Sequence, residues 1–158
     1  VRRRRHPALR VAPAGREEAG VDRLVLERKL ESLRRCLVRV RSRCPATLPE
    51  LVQDLDAQDV QVLNLSRAVQ LCVDMAAHLL TELELPPPST MGEAFTRLAE
   101  AQVIDAALAQ AMRRAVGFRN LAVHNYDAID WAIVFAIATN HIGDFERFAR
   151  KVAERLAE

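Results

Sequence analysis

Residues 22–40 read DRLVLERKLESLRRCLVRV. Leu26, Leu30, Leu33, Leu37 and Val40 recur every three or four positions, with Arg, Lys and Glu in the intervals. At about 3.6 residues per turn this spacing gathers the apolar side chains on one stripe and leaves the charges to water. The stretch predicts a long amphipathic helix that needs partners along its stripe. The same period continues through the chain. Cys44-Pro45 and Leu48-Pro49 read as breaks. A second helix is predicted from about Asp56 to Glu84, with Asp54 or Asp56 as its cap. Its broad apolar face, through Val60, Leu63, Leu71, Met75 and Leu79, suits a helix enclosed by several neighbours. Pro86, Pro87 and Pro88 end it. Thr90, with Glu93 three positions on, reads as a capping box for a short third helix to about Ala101. A fourth starts near Asp105 and carries Leu108, Ala111, Met112, Ala115 and Val116. Asp127 or Asp130 caps a last helix with the stripe Trp131, Val134, Phe135, Ala138, Ile142, Phe145, Phe148 and Val152. No strand pattern occurs. Short connections favour antiparallel neighbours, so the predicted fold is all-α: an up-and-down antiparallel helical bundle of about five helices.

Composition agrees. The 158 residues suit one domain with a core of its own. Aromatics are only 4% of the chain, which disfavours sheet. No apolar run approaches the ~18 residues that would cross a bilayer, so no membrane contact is expected. Cys36, Cys44 and Cys72 form no C-x-x-C pair and cannot all pair, which argues against a disulfide scaffold and for a reducing cytoplasm. Residues 1–20 are basic without an apolar segment and do not read as a secretory signal. They hold six Arg and two Glu of the chain's 23 basic and 21 acidic residues, leaving 17 basic and 19 acidic in 21–158. The expected organisation is a disordered basic N-terminal tail, 1–20, ahead of a helical domain, 21–158, with Val21 as an alternative first residue. Since the domain itself is slightly acidic, any contact with nucleic acid must come from a local patch.

One segment concentrates chemistry. Arg119, Asn120, His124, Asn125, Tyr126 and Asp127 fall within nine positions, where the fourth helix should end. Histidine can take or give a proton near neutral pH, and arginine offers a planar fork of donors to phosphate oxygens. RNA brings its own nucleophile, the 2′-hydroxyl, so cleavage of its phosphodiesters requires no metal in principle. On a regular helix Arg119 and Tyr126, seven apart, share a face, whereas His124 lies about 140° from Arg119. For Arg119 and His124 to act together, the helix must end or distort near Val123, or two chains must each contribute. By spacing alone a capping His124 and an Arg119 paired with Asp127 would explain the same residues. Asp74 and His78 share a face of the second helix, but no third ligand is evident, so a structural pair or a contact to Arg119 is expected there and no metal site.

The stretch RNLAVHNYDAID, residues 119–130, resembles the signature of the HepT-like ribonuclease toxins of the HEPN superfamily, Arg-x4-His-x-Tyr with Asn after the Arg. The pattern falls on Arg119, Asn120, His124 and Tyr126 without departure. The resemblance extends over roughly residues 22–152, including DMAAHLL (74–80), FTRLAEAQVI (95–104) and FERFARKV (145–152). It implies a HEPN-like helical homodimer in which Arg119 and His124 from both chains meet in a cleft at the dimer interface and are catalytic, with Asn120 orienting the pair or the substrate. It implies metal-independent cleavage of RNA, no cofactor, and a nucleotidyltransferase antitoxin of the MntA kind that uses ATP to place AMP on Tyr126. The alternative is a non-catalytic HEPN-type module that binds a nucleotide or a nucleotidyltransferase; a purely structural dimerisation bundle is a weaker third reading.

Overall fold

The computed structural model describes residues 14–158, and among these every regular element is helical. In chain order they are α1 (Ala14–Arg43), α2 (Leu48–Gln53), α3 (Leu55–Glu82), α4 (Met91–Glu100), α5 (Ala106–His124), α6 (Trp131–Ala136) and α7 (Ile142–Leu156). A 3₁₀ turn, Tyr126–Ala128, precedes α6, and a π-helical turn, Ile137–His141, joins α6 to α7. The all-α antiparallel bundle expected from the periodicity is what forms. Residues 1–13, most of the expected tail, lie outside the described residues. The first helix begins at Ala14, seven positions before the predicted domain start, through residues that carry no apolar period.

The stripe of 22–40 does what its spacing demands. Leu26, Leu33, Leu37 and Val40 are buried, and α1 lies along α3 over most of its length. The α3 helix is the axis of the molecule, touching α1, α2, α4, α5, α6 and α7. Its enclosure explains its breadth of apolar residues, although Leu63, expected inside, stands exposed. Phe95 of α4 and Phe148 of α7 meet edge to face, centroids 5.4 Å apart, and both are fully buried. Edge-to-face contact suits the ring quadrupoles, so the pair pins α4 to α7.

Several caps appear where the sequence puts them. Asp54, of the two alternatives, accepts the Ala57 N–H at 3.0 Å. Thr90 accepts from Glu93 N–H at 3.2 Å, while the Glu93 carboxylate reaches back to Ser89 N–H at 2.7 Å, one residue earlier than a regular capping box. Asp105 accepts from Leu108 N–H at 2.7 Å, and Asp130, not Asp127, from Ala132 N–H at 2.9 Å.

Four details differ from the expectation. Pro49 does not break the chain but occupies the first turn of α2, which Thr47 caps; a proline there forfeits no helical hydrogen bond. The α3 helix ends before its prolines. Leu85 N–H bonds Leu80 C=O and Glu84 N–H bonds Thr81 C=O around a left-handed Glu84, φ 56°, which is a Schellman closure with Glu where Gly is usual. Gln102, φ 61°, closes α4 the same way. The last helix is two helices. Its buried positions Val134, Ala138 and Ile142 step by four, which would swing the stripe about 80° off the core in a regular helix. The wider π turn takes up that excess.

A row of buried polar residues on α3 was not foreseen. Gln58 donates to Leu51 C=O and Val52 C=O at 3.0 Å each, and Gln61 donates to Val40 C=O at 3.0 Å. These amides tie α3 to carbonyls at the ends of α2 and α1, two of which also accept a backbone N–H, Leu51 C=O from Asp54 and Val40 C=O from Cys44. Asn64 donates to Val60 C=O at 2.8 Å in its own helix. The cysteines are free, as expected. Cys36 and Cys72 are buried, and burial pushes the Cys72 thiol well above its ordinary range, so it serves as an apolar filler.

Candidate active site

The α5 helix presents two faces. Leu108, Met112, Ala115, Val116, Phe118 and Ala122 are buried. Arg113, Gly117, Asn120 and His124, at steps of four, three and four, form one exposed line along the opposite side. That line borders an open groove of about 770 Å³, whose other wall is the start of α4, from Thr90 to Glu93 and Thr96. Arg119 joins Asn120 and His124 in lining it. The helix runs to His124 and stops there, beside Val123. Asn125 leaves it at φ −151°, ψ 71°, its N–H still bonded to Leu121 C=O at 2.8 Å. With the helix ending at His124, Arg119 and His124 of one chain line the same groove.

The groove has spare cations. Arg119 is half-buried, with Nη1 3.4 Å from Asn120 Oδ1 and 3.8 Å from Met91 Sδ. It forms no ion pair among the described residues, so the Arg119–Asp127 pairing left open by spacing does not occur. The acid of the groove is already engaged. Glu93 holds Arg97 through Nε at 3.1 Å and Nη2 at 2.7 Å, and Arg97 together with the Ser89 N–H keeps its carboxyl below the usual range. The net offering is a guanidinium fork, an amide and an imidazole, open to solvent. Such a set can bind a phosphodiester and move protons at it.

Tyr126 stands elsewhere. Because α5 ends at His124, the shared face with Arg119 is lost, and Tyr126 belongs to the 3₁₀ turn beyond. Its hydroxyl donates to Asp59 of α3 at 2.7 Å, and its ring lies edge to face with Trp131 at 6.1 Å. It does not line the groove. Burial, and then the Asp59 carboxylate, push its phenol up to about 12. Asp59 gives no signal in the sequence, because 67 positions separate it from Tyr126. Asp74 is engaged by Lys29 at 3.1 Å and Gln70 at 2.9 Å, not by His78 or Arg119. Among the described residues no three His, Cys, Asp or Glu side chains gather as a metal site would require. No described helix is long and apolar enough to cross a membrane.

A second hollow, about 480 Å³, lies on the other side of α5, against α6 and α7. Phe118, Leu121, Ile129, Ile133 and Ile137 make it mostly apolar, with His141 and Asp144 among its lining residues. Leu121 and Ile133 are exposed beside it. It offers surface more than chemistry.

The chain belongs to the ribonuclease HepT-like family, whose model matches residues 33–152. It is 32% identical over 124 residues to the mRNA nuclease HepT of Shewanella oneidensis, covering 78% of this chain and 92% of that one. It is 25% identical over 132 residues to the tRNA nuclease HepT of Aphanizomenon flos-aquae, covering 84% and 90%. The solved structure of a tri-AMPylated Shewanella oneidensis HEPN toxin in complex with MNT antitoxin superposes with a TM-score of 0.77 at 30% identity, covering 82% of this chain and 97% of that one.

Proposed function

We propose that this protein is the toxin of a toxin–antitoxin pair and an endoribonuclease that needs no metal. The observation that carries the reading is the one groove holding His124, Asn120 and an Arg119 that has no carboxylate partner among the described residues. Arg119 binds the non-bridging oxygens of the scissile phosphate and stabilises the charge that grows there. His124 takes the proton of the 2′-hydroxyl as its oxygen attacks phosphorus, or returns a proton to the departing 5′-oxygen. The products are a 2′,3′-cyclic phosphate and a 5′-hydroxyl. Asn120, 3.4 Å from the guanidinium, orients Arg119. The relatives' activities on mRNA and tRNA support RNA as the substrate. The toxin acts as a homodimer in the cytoplasm, a reading supported by the apolar hollow beside α5 with Leu121 and Ile133 exposed at it.

A nucleotidyltransferase antitoxin silences it. The Tyr126 oxygen attacks the α-phosphorus of ATP, pyrophosphate leaves and the phenolic proton goes to solvent. The product can no longer donate to Asp59, and its phosphate charge faces that carboxylate, so the modified side chain is driven off α3. Two residues of chain, at most about 7 Å, separate Tyr126 from His124. A nucleotide attached there is within reach of the groove, where it meets RNA with bulk and like charge. The tri-AMPylated state of the related toxin supports this regulation.

The test is cleavage of total RNA in EDTA by wild type and His124→Ala, after intact mass shows no AMP on either. Cleavage by wild type alone is the expected result. Equal cleavage by both removes the site assignment. No cleavage by either favours the non-catalytic module that binds a nucleotide or nucleotidyltransferase.

A further inference from the structure

The groove runs well past the catalytic end. Arg113 lies on the same line of α5 as Asn120 and His124, and its Nη1 donates to Thr96 Oγ1 of α4 at 3.3 Å. The stem of Arg113 crosses beside Gly92, where an added Cβ would meet Arg113 Cγ at 3.6 Å. The side chain is thus directed across the groove by α4. It forms no ion pair among the described residues, and Glu93, the neighbouring acid, is held by Arg97 and Ser89 N–H. Eleven residues separate Arg113 from His124, about 16 Å of helix at 1.5 Å per residue. That is roughly five steps of a stacked strand at about 3.4 Å each, and fewer of an extended one.

Gly117 sits between the two ends. A glycine in mid-helix weakens the helix relative to alanine. Its backbone does not require it, since no glycine among the described residues has positive φ. Packing within the chain does not require it either, because a Cβ there would meet nothing within 4 Å. What glycine provides at this place is a bare floor.

We propose that Arg113, steadied by Thr96, is a second phosphate-binding point for single-stranded RNA, and that Gly117 keeps open the path from it to the Asn120–His124 end. This rests on the nuclease reading above. A distant phosphate contact fixes the register of the strand so that one phosphodiester stops at Arg119 and His124. It also makes the substrate a strand of several nucleotides and not a dinucleotide.

The experiment is fluorescence anisotropy of a labelled, mixed-sequence single-stranded RNA, about 20 nucleotides long to exceed the ~4–16 that comparable grooves cover. The titrant is the full chain carrying His124→Ala, so that the RNA survives, from about 50 to about 200 mM KCl. Adding Arg113→Ala should weaken binding about tenfold and lower the slope of log affinity against log salt by about 0.7, the value of one single-strand phosphate contact. Arg113→Lys should restore the slope, because the charge is kept. Gly117→Leu, with unchanged circular dichroism, should weaken binding about as much by filling the path. Equal slopes with and without Arg113 would overturn the second contact, and unchanged binding by Gly117→Leu would overturn the open path. No RNA binding by the His124→Ala parent would overturn the nuclease reading itself, and the second contact with it.

Discussion

Two helices of this molecule carry a line of polar residues, and the two lines have opposite fates. On α3, Gln58, Gln61 and Asn64 turn inward, each at most 6% exposed, and their amides are spent on backbone carbonyls of α1, α2 and α3 itself. On α5, Arg113, Asn120 and His124 turn outward, and His124 makes no hydrogen bond within the described chain. Spacing does not separate the two lines, since both follow the helical repeat. What separates them is whether the polar atoms are already satisfied. Those of α3 complete other helices and leave little for a ligand. Of those of α5 only Arg113 is tied to another helix, through Thr96 Oγ1, and the line has donors to spare.

The comparison can be broken from either side. The largest effect expected is on catalysis: His124→Ala should lower RNA cleavage by about 10² to 10⁴, the usual contribution of a general acid–base. Its thermal unfolding should shift by less than about 0.5 kcal/mol, because the side chain is exposed. Gln61→Met should do the reverse. It keeps the volume but removes one of the two donors to Val40 C=O, Cys44 N–H being the other, which should cost about 0.5–1.5 kcal/mol in chemical denaturation while the folded fraction still cleaves RNA. Gln61 Oε1 has no partner, which places the true value toward the lower end.

A smaller change should leave both lines alone. Gln102→Gly relieves a left-handed residue at the end of α4 and should stabilise the fold by about 1 kcal/mol with cleavage unchanged. The smallest effect sharpens the comparison where the two helices are tied. Tyr126 is the chain's one tyrosine, so ultraviolet absorbance reads its ionisation alone. The midpoint should lie at about 12, and Asp59→Asn should lower it only part of the way towards 10, because burial is the larger cause and remains. The sign follows from which form the fold prefers. The raised phenol is held protonated, so its contribution to stability is complete below pH 10 and is lost as pH rises from 10 through about 12.

Much of this was legible in the sequence because it depends on local periodicity. The stripe from Leu26 to Val40 and the caps Thr90, Asp105 and Asp130 are decided within a few residues. Arg119, Asn120 and His124 were legible as a polar cluster and through the resemblance of residues 119–130 to the HepT-like signature, whereas helical periodicity alone put His124 about 140° from Arg119. The α2 helix was not legible, for six residues are too few to show a period and Pro49 reads as a breaker until its place in the first turn is known. The inward Gln58 and Gln61 were hidden by the rule that polar residues face water, which fails where a neighbouring helix end supplies the partner. The contact of Tyr126 with Asp59 was hidden by its 67-residue separation and by extending α5 two residues too far.

The central claim is that the α5 line is there for function and the α3 line for structure. The most direct measurement compares RNA cleavage in EDTA and thermal unfolding for unmodified wild type, His124→Ala and Gln61→Met side by side. The account predicts that His124→Ala unfolds like wild type and does not cleave, while Gln61→Met unfolds earlier and cleaves at low temperature. Cleavage at the wild-type rate by His124→Ala, whatever its stability, would contradict it.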